Sequence, residues 1–459
     1  MPTLSPQQIV ELALESSRSS ASVVIVSDRT SANLRWAANT LTTNGVMHRV
    51  DVTVIAFGNG ASASVSGAAT SRDQVLALVE AADTALVSAP TAADRNPLVT
   101  GDASTDFALA PEPTSIQVYS RFATGLGEEF ARAEAERRLL YGFVNHEVAT
   151  TYLGSSTGLR LRHVQPTGHY GITGKTADLS RSAWAGGATR DFADVDAHAL
   201  GDTLATRLGW AERRVDLPAV RYDTVLPATA VADLMIDAYW SAGARVAHEG
   251  QSVYARPGGG TRIGDQIVSD SVTLRSDPSY DGLQCAPFVT ATSSSSESSV
   301  FDNGLPLAPT SWIDSGRLTS LVQTRETAAM TGQPVTPAVD NLVLDVAGAS
   351  GTEQDLVAGM ERGLLLTCLW YIREVDAQTL LLTGLTRDGV YLVEGGEITG
   401  AVNNFRFNES PVDLLRRFSH ASDTAPAFSR EWGDDYFSRT AMPSLRVPDF
   451  NMSSVSQAT

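Results

Sequence analysis

The chain has 459 residues, 43% of them hydrophobic and 19% charged, as in folded soluble proteins. This length exceeds one ordinary hydrophobic core, so we expect two domains. The formal net charge of −18 disfavours contact with phosphate backbones, so no nucleic-acid partner is expected. No stretch reaches about 18 uninterrupted apolar residues, so the sequence predicts no membrane span.

The N-terminus and the cysteines indicate the cellular compartment. The first residues have neither a basic start nor a long apolar run, so they do not predict a signal peptide. Cys285 and Cys368 are the only cysteines, too few for a disulfide framework at this length. We therefore expect a cytoplasmic protein.

Helix signals recur along the N-terminal half. Ser5 and Gln8 have the spacing of a capping box, and Pro6 suits a first helical position. Ser71 and Gln74 repeat that spacing. Apolar periodicity predicts further helices at residues 127–140, 194–213 and 229–244.

Strands are predicted between these helices. Runs rich in β-branched residues at 21–27 and 50–57 are typical of strands, with turn signals at Asn44-Gly45 and at residues 58–60. The order of elements predicts an α+β fold, with an N-terminal antiparallel sheet and helices over residues 1–217.

The second domain is expected over residues 218–459, after a proline-marked boundary at 218–227. It is predicted to be β-rich, with a hairpin at Gly395-Gly396 and a final strand at 445–450. The serine-rich residues 293–299 predict a mobile loop.

Neither His-Glu pair of the chain has the spacing of a zinc motif. A helical zinc site needs a second histidine four or five residues after the first. After His146 and His248, those positions hold Thr150, Thr151, Ser252 and Val253. Both pairs are therefore interpreted as surface or sheet-edge histidines. His163 and His169 flank a Pro-Thr-Gly segment, which favours a hairpin with two exposed imidazoles over a metal-binding loop.

The other reactive side chains favour structural roles. Cys368 lies in an apolar run, which favours core packing over a nucleophile, whereas the setting of Cys285 is less decisive. Asp233 and Asp237 lie one helical turn apart and are interpreted as solvated charges. No phosphate-binding loop or nucleophile elbow is present. The residues alone show no self-contained catalytic constellation.

Three stretches of the C-terminal half have a recognisable sequence pattern: residues 264–274 (GDQIVSDSVTL), 309–332 around Trp312, and 363–409. Together they resemble the TldD/PmbA family of zinc proteases. The resemblance implies that a TldD-type subunit of this family carries an HExxxH motif on a helix early in its C-terminal domain. That helix corresponds here to residues 231–243, which contain no histidine. The two histidine positions fall near Met235 and Trp240, and the glutamate position falls near Ile236.

The resemblance therefore implies a TldE- or PmbA-type subunit without zinc or catalytic residues of its own. It implies a heterodimer with a TldD-like zinc protease subunit, and a shared cavity in which unfolded, short or modified peptides are cut. A second hypothesis is a modulator, of the gyrase-modulator kind, that acts without proteolysis. A third is a stand-alone hydrolase with a site around Cys285, His163 and His169.

Overall fold

A computed structural model describes residues 3–433 and 439–456. The described residues form nine α-helices and two short 3-10 helices, at Ile116–Tyr119 and Val300–Asp302. Both predicted capping boxes are present, at Ser5 and at Ser71. The α-helices are α1 (Pro6–Ser16), α2 (Arg72–Val87), α3 (Ser120–Ala135), α4 (Ala197–Trp210), α5 (Ala228–Trp240), α6 (Ala244–His248), α7 (Arg325–Thr331), α8 (Glu353–Ala358) and α9 (Pro411–Arg417). Within these ranges, no helix has the length and apolarity that a bilayer crossing requires.

Six long strands form the N-terminal sheet, with the order β3-β2-β1-β4-β5-β6 and antiparallel pairing throughout. The strands are β1 (Ala21–Ala37), β2 (Thr40–Gly58), β3 (Ala61–Ala68), β4 (Arg138–Ser155), β5 (Arg160–Thr176) and β6 (Ser182–Thr189). The predicted strands at 21–27 and 50–57 are thus parts of much longer ones. The turn expected at Asn44-Gly45 is wrong, because β1 turns into β2 at Ala38 and Asn39, both with positive φ.

The two faces of this sheet have different neighbours. Even-numbered side chains of β1, such as Val24 and Leu34, belong to two apolar clusters that also contain residues of α1, α2, α3 and α4. Odd-numbered side chains such as Ile25 instead pack against Phe288 and Phe301 of the C-terminal half. The sheet therefore lies between its helices and the C-terminal half of the chain.

The C-terminal half is rich in strands, as predicted. One six-stranded sheet has the order β11-β10-β9-β12-β21-β20, and a ten-stranded sheet has the order β14-β15-β18-β22-β8-β13-β16-β17-β7, with β19 paired to β22. The strands are β7 (Arg214–Val215), β8 (Arg221–Leu226), β9 (Val272–Ser276), β10 (Thr310–Asp314), β11 (Arg317–Leu318), β12 (Leu342–Val346), β13 (Arg362–Leu366), β14 (Leu369–Asp376), β15 (Leu381–Thr386), β16 (Val390–Glu394), β17 (Glu397–Val402), β18 (Phe405–Glu409), β19 (His420–Ala421), β20 (Ala425–Ala427), β21 (Thr440–Met442) and β22 (Leu445–Val455).

The α+β prediction is confirmed, with an antiparallel N-terminal sheet and a strand-rich C-terminal region. The hairpin at Gly395-Gly396 joins β16 and β17 as predicted. The boundary between residues 217 and 218 lies between β7 and β8, and it stays a prediction.

The serine-rich segment at 293–299 is an irregular loop held by hydrogen bonds. The hydroxyls of Ser294 and Ser299 both donate to Asp94 Oδ2, at 2.6 and 2.7 Å. These bonds tie the loop to the N-terminal half. Its predicted mobility stays a prediction.

Candidate functional site

Helix α5 carries the positions that the sequence assigned to a lost zinc site. It follows β8 directly, begins after Pro227 and packs in the main C-terminal core. Met235 and Ile236 are fully buried, and Trp240 packs edge-to-face on Trp432 with ring centroids 4.9 Å apart. Thioether, alkyl and indole groups at these positions do not fit a zinc site, which takes imidazole, thiolate or carboxylate ligands.

The solvated setting predicted for Asp233 and Asp237 is wrong. Asp233 is 1% exposed, and its Oδ1 accepts hydrogen bonds from Ser429 Oγ at 2.7 Å and from the Glu431 N–H at 3.0 Å. Its Oδ2 has no hydrogen-bond partner among the described residues. Asp237 accepts a bond from Trp432 Nε1 at 3.2 Å. The acidic face of α5 is therefore covered by residues 429–432.

Burial governs the protonation of these two carboxyl groups. It raises the pKa of Asp233 to about 7, although hydrogen bonds from Glu431 and Ser429 act in the opposite direction. Burial also raises the pKa of Asp237 to about 7, and the negative charges of Glu374 and Glu431 add to that rise. Near neutral pH, each group is therefore divided between its protonated and its ionised form, whereas a surface aspartate is ionised.

Arg430 lies between two indole rings beside this cluster. Its guanidinium carbon is 3.4 Å from the Trp370 ring centroid and 4.7 Å from that of Trp184. Burial lowers the pKa of Arg430. Stacking on two rings partly offsets the loss of water around the cation, since such contacts contribute about 0.5–2 kcal/mol each.

Both cysteines are buried thiols. Cys368 packs with Trp184 and Phe428, as its apolar sequence setting predicted. Burial raises the pKa of Cys368 far above its ordinary value, and raises that of Cys285 to about 12. Each side chain is therefore a protonated thiol at neutral pH, which is a poor nucleophile.

The histidine interpretations need correction. His163 and His169 lie on the uninterrupted strand β5, not in a hairpin, and six residues of strand separate them by roughly 20 Å. Burial lowers the pKa of His163, and His169 stacks on Phe428 with centroids 5.9 Å apart. His146 is 4% exposed inside the sheet, where its Nε2 donates to the Arg190 carbonyl at 2.8 Å.

The positions of the histidines contradict the metal-binding loop considered for His163 and His169. His163 and His169 are too far apart to share a metal ion. His248 ends the short helix α6 and is half-buried. Within residues 3–433 and 439–456, no three or more His, Cys, Asp or Glu side chains are grouped to hold a metal ion.

A cavity of about 570 Å³ opens between the N-terminal sheet and the C-terminal half. Three arginines and two acidic residues line it, so its wall is more cationic than the chain as a whole. These are Arg190, Arg207, Arg439, Asp194 and Glu353. The rest of the wall includes His163 and Gln165 of β5, the first residues of α5, and Phe428.

The cavity and the carboxylates of α5 belong to one region. Phe428 lines the cavity, and the next four residues cover Asp233 and Asp237. The volume lies within the range of small-ligand pockets, about 300–1,000 Å³. The walls of the cavity come from distant segments of the chain, so the sequence pointed to this region only through the acidic pair on α5 and through His163.

Comparisons with known proteins agree with the resemblance. Residues 219–454 match the model of the PmbA/TldA metallopeptidase C-terminal domain. The fold resembles TldE from Thermococcus kodakarensis, with a TM-score of 0.78, 14% identity, and coverage of 97% of this chain and 99% of that chain. No curated protein matches the chain in sequence.

Two further solved structures are similar, and both are named as DNA gyrase modulators. The protein from Thermotoga maritima has a TM-score of 0.76 and 17% identity, with coverage of 97% of this chain and 98% of that one. The protein from Bacteroides thetaiotaomicron has a TM-score of 0.75 and 15% identity, with 98% of each chain covered. At these identities the likeness concerns the fold.

Proposed function

The chain belongs to the PmbA/TldD metallopeptidase family, and on that premise we propose that it is the non-catalytic subunit of a two-chain zinc peptidase. The zinc and its activated water belong to a TldD-like sister chain. The pair degrades or processes unfolded, short or modified peptides in the cytoplasm. This subunit completes the peptide-binding chamber and supplies no residue to bond cleavage.

The proposal rests on the side chains that occupy the expected zinc-motif positions of helix α5. At the positions where the family resemblance expects two histidines and a glutamate, the chain has Met235, Trp240 and Ile236. Met235 and Ile236 are fully buried in apolar contacts, so these side chains hold the core together. A metal-bound hydroxide cannot form on such groups. We therefore assign the zinc chemistry to another chain.

The cavity supports a role in holding peptide. It lies beside α5, so a peptide that enters it runs past the helix that carries the metal site in a zinc-bearing relative. Arg207 and Arg439 on its wall offer charge-assisted donors to peptide carboxylates or carbonyls. The apolar Phe428 supplies a surface for side chains. This mixture suits chains of varied sequence.

A second candidate function is modulation of another protein without proteolysis. Two proteins of similar fold are named as DNA gyrase modulators, and the charge of −18 suits a basic protein surface. This candidate predicts full activity of the chain in the absence of any zinc-bearing sister.

Reconstitution separates the two candidates. The purified chain, the purified sister chain and an equimolar mixture are each incubated with an unfolded protein and a set of short peptides, with and without a chelator. We expect chelator-sensitive cleavage in the mixture and none by this chain alone.

One variant of the cavity wall and one matched control sharpen this experiment. Arg439→Ala is expected to raise the KM of the mixture several-fold without changing its zinc content. Arg18→Ala, at an exposed side chain remote from the cavity, is the matched control. Chelator-sensitive cleavage by this chain alone would contradict the proposal.

A further inference from the structure

Three arginines on the wall of the 570 Å³ cavity have no acidic partner. Arg190 follows β6, Arg207 lies on α4 and Arg439 precedes β21, so distant segments bring them to one cavity. Within residues 3–433 and 439–456, none of the three forms an ion pair, although the chain has 52 acidic and only 34 basic residues. Elsewhere arginines pair with carboxylates, as Arg446 does with Asp223. The cavity therefore collects positive charge that the protein leaves unneutralised.

Neutral acceptors hold two of these guanidinium groups in place. Arg207 Nη1 donates to the Trp184 carbonyl at 2.5 Å. Arg439 Nε donates to the Asp340 carbonyl at 3.0 Å, and its Nη1 donates to Thr167 Oγ1 at 3.3 Å. Such acceptors fix the position of a guanidinium but leave its charge uncompensated. A guanidinium has five N–H groups, so both arginines keep donors for a ligand.

Helix α5 begins on the same wall. Pro227, Ala228 and Thr229 all line the cavity. Pro227 is the N-cap residue, and no side chain caps this end of the 13-residue helix. The N–H groups of a first helical turn have no partner within the helix, and the helix dipole places partial positive charge there. This helix end therefore adds donors and positive potential to those of the arginines.

The acidic residues of the wall do not cancel this charge. Asp194 and Glu353 stand against three arginines, so the wall keeps a net positive charge even when both are ionised. Asp194 already accepts a hydrogen bond from Thr189 Oγ1 at 2.5 Å. Burial raises the pKa of Glu353, although the positive charge of Arg207 acts in the opposite direction, so the ionised form of Glu353 is disfavoured. The cavity is thus an anion-binding environment inside an acidic protein.

We propose that the cavity binds the carboxylate of the last residue of a peptide, with Arg207, Arg439 and the first N–H groups of α5 as donors. The inference rests on the peptide-binding role proposed above, and it adds the substrate class, which is peptides with a free C-terminus.

The apolar part of the wall favours a terminal carboxylate over other anions. The last residue of a peptide carries its carboxylate next to its own side chain, so its site needs cationic and apolar surface side by side. Phe428 and Leu283 supply apolar surface on the same wall. Arginine suits the carboxylate because its planar group can donate two parallel hydrogen bonds to the two oxygens.

Peptide binding to the chain alone tests the proposal. One short peptide, labelled with a dye at its N-terminus, is prepared with a free C-terminal carboxylate, with a C-terminal amide, and with the amide plus one internal aspartate. Fluorescence anisotropy gives the Kd of each. We expect the free acid to bind at least tenfold more tightly than either amide. Equal affinities for the acid and the simple amide would overturn the proposal. If the aspartate peptide binds as tightly as the acid, the assignment to the last residue is wrong.

Variants of the wall locate the site. Arg207→Gln and Arg439→Gln are each expected to lower the ratio of the amide Kd to the acid Kd several-fold. Arg362→Gln, at an exposed residue of β13 outside the cavity, is the matched control and should leave the ratio unchanged. An unchanged ratio in both cavity variants would contradict the proposal. The acid and amide comparison on the wild type needs no variant, so it decides the question even if a variant folds poorly.

This experiment and the cleavage experiment can fail independently, because binding needs neither zinc nor the sister chain. Equal binding of acid and amide, together with chelator-sensitive cleavage by the two-chain mixture, would overturn only the carboxylate site. Preference for the acid, together with a mixture that does not cleave, would support the carboxylate site and contradict the peptidase role.

Discussion

Replacing Asp233 by asparagine is expected to remove one pH-dependent contribution to stability at the core of the candidate site. The asparagine Oδ1 can accept the same two hydrogen bonds from Ser429 and Glu431. It cannot ionise. The comparison therefore isolates the charge of one buried carboxyl group.

The magnitude follows from the pKa difference between the folded and unfolded states. The pKa of Asp233 rises from 3.8 to about 7 on folding, a rise of about three units. Each unit corresponds to about 1.4 kcal/mol, so ionisation of Asp233 lowers the free energy of unfolding by about 4 kcal/mol. Because the folded pKa is the higher one, ionisation disfavours the folded state. The wild type therefore loses stability as pH rises from about 4 to about 7, and the loss persists above pH 7.

The variant carries its own cost at every pH. Its amide nitrogen takes the place of Oδ2, which has no hydrogen-bond partner among the described residues. A buried donor without a partner lowers the stability of the folded state by about 1–3 kcal/mol. The asparagine variant is therefore expected to be less stable than the wild type at pH 4.5 and more stable at pH 8.

Thermal denaturation at half-unit pH steps measures this crossover. The difference in midpoint between variant and wild type should change by about 10 °C across the range, since about 1 kcal/mol shifts the midpoint of a large domain by about 2–4 °C. The variant Asp233→Ala, which loses both accepted bonds, is the control and should be destabilised at every pH. Parallel curves for wild type and Asp233→Asn would refute the burial argument.

Three further outcomes are expected. Met235→Ala should lower the free energy of unfolding by about 2–5 kcal/mol in chemical denaturation. The exposed control Val87→Ala should change it by less than about 0.5 kcal/mol. Equal effects of the two changes would contradict the core role of α5. Cys285 and Cys368 should react with a thiol reagent at pH 8 only after unfolding, and fast labelling of the native chain would show an accessible thiolate. Ser5→Ala should cost about 1 kcal/mol through loss of the first capping box, and an unchanged denaturation midpoint would contradict that cap.

Several local signals in the sequence predicted local features correctly. A capping box depends on residues three apart, and both predicted boxes form. The hairpin at Gly395-Gly396 depends on a two-residue turn and also forms, with positive φ at both glycines. These elements need no information from distant parts of the chain.

Features set by distant residues were predicted wrongly or missed. The Asn44-Gly45 turn signal was overridden because β1 pairs with β2 through that point. Asp233 is buried by Ser429, which lies 196 residues further along the chain. The spacing of Asp233 and Asp237 cannot show which segment will cover them. The cavity likewise arises where two halves of the chain meet, so periodicity could not reveal it.

The zinc content of the assembled complex tests the central claim most directly. Native mass spectrometry of the two-chain complex, followed by gas-phase separation of the chains, assigns each metal ion to one chain. We predict one zinc per pair, retained by the sister chain, and none on the chain with Met235 and Trp240 on α5. Zinc bound stoichiometrically to this chain would contradict the account.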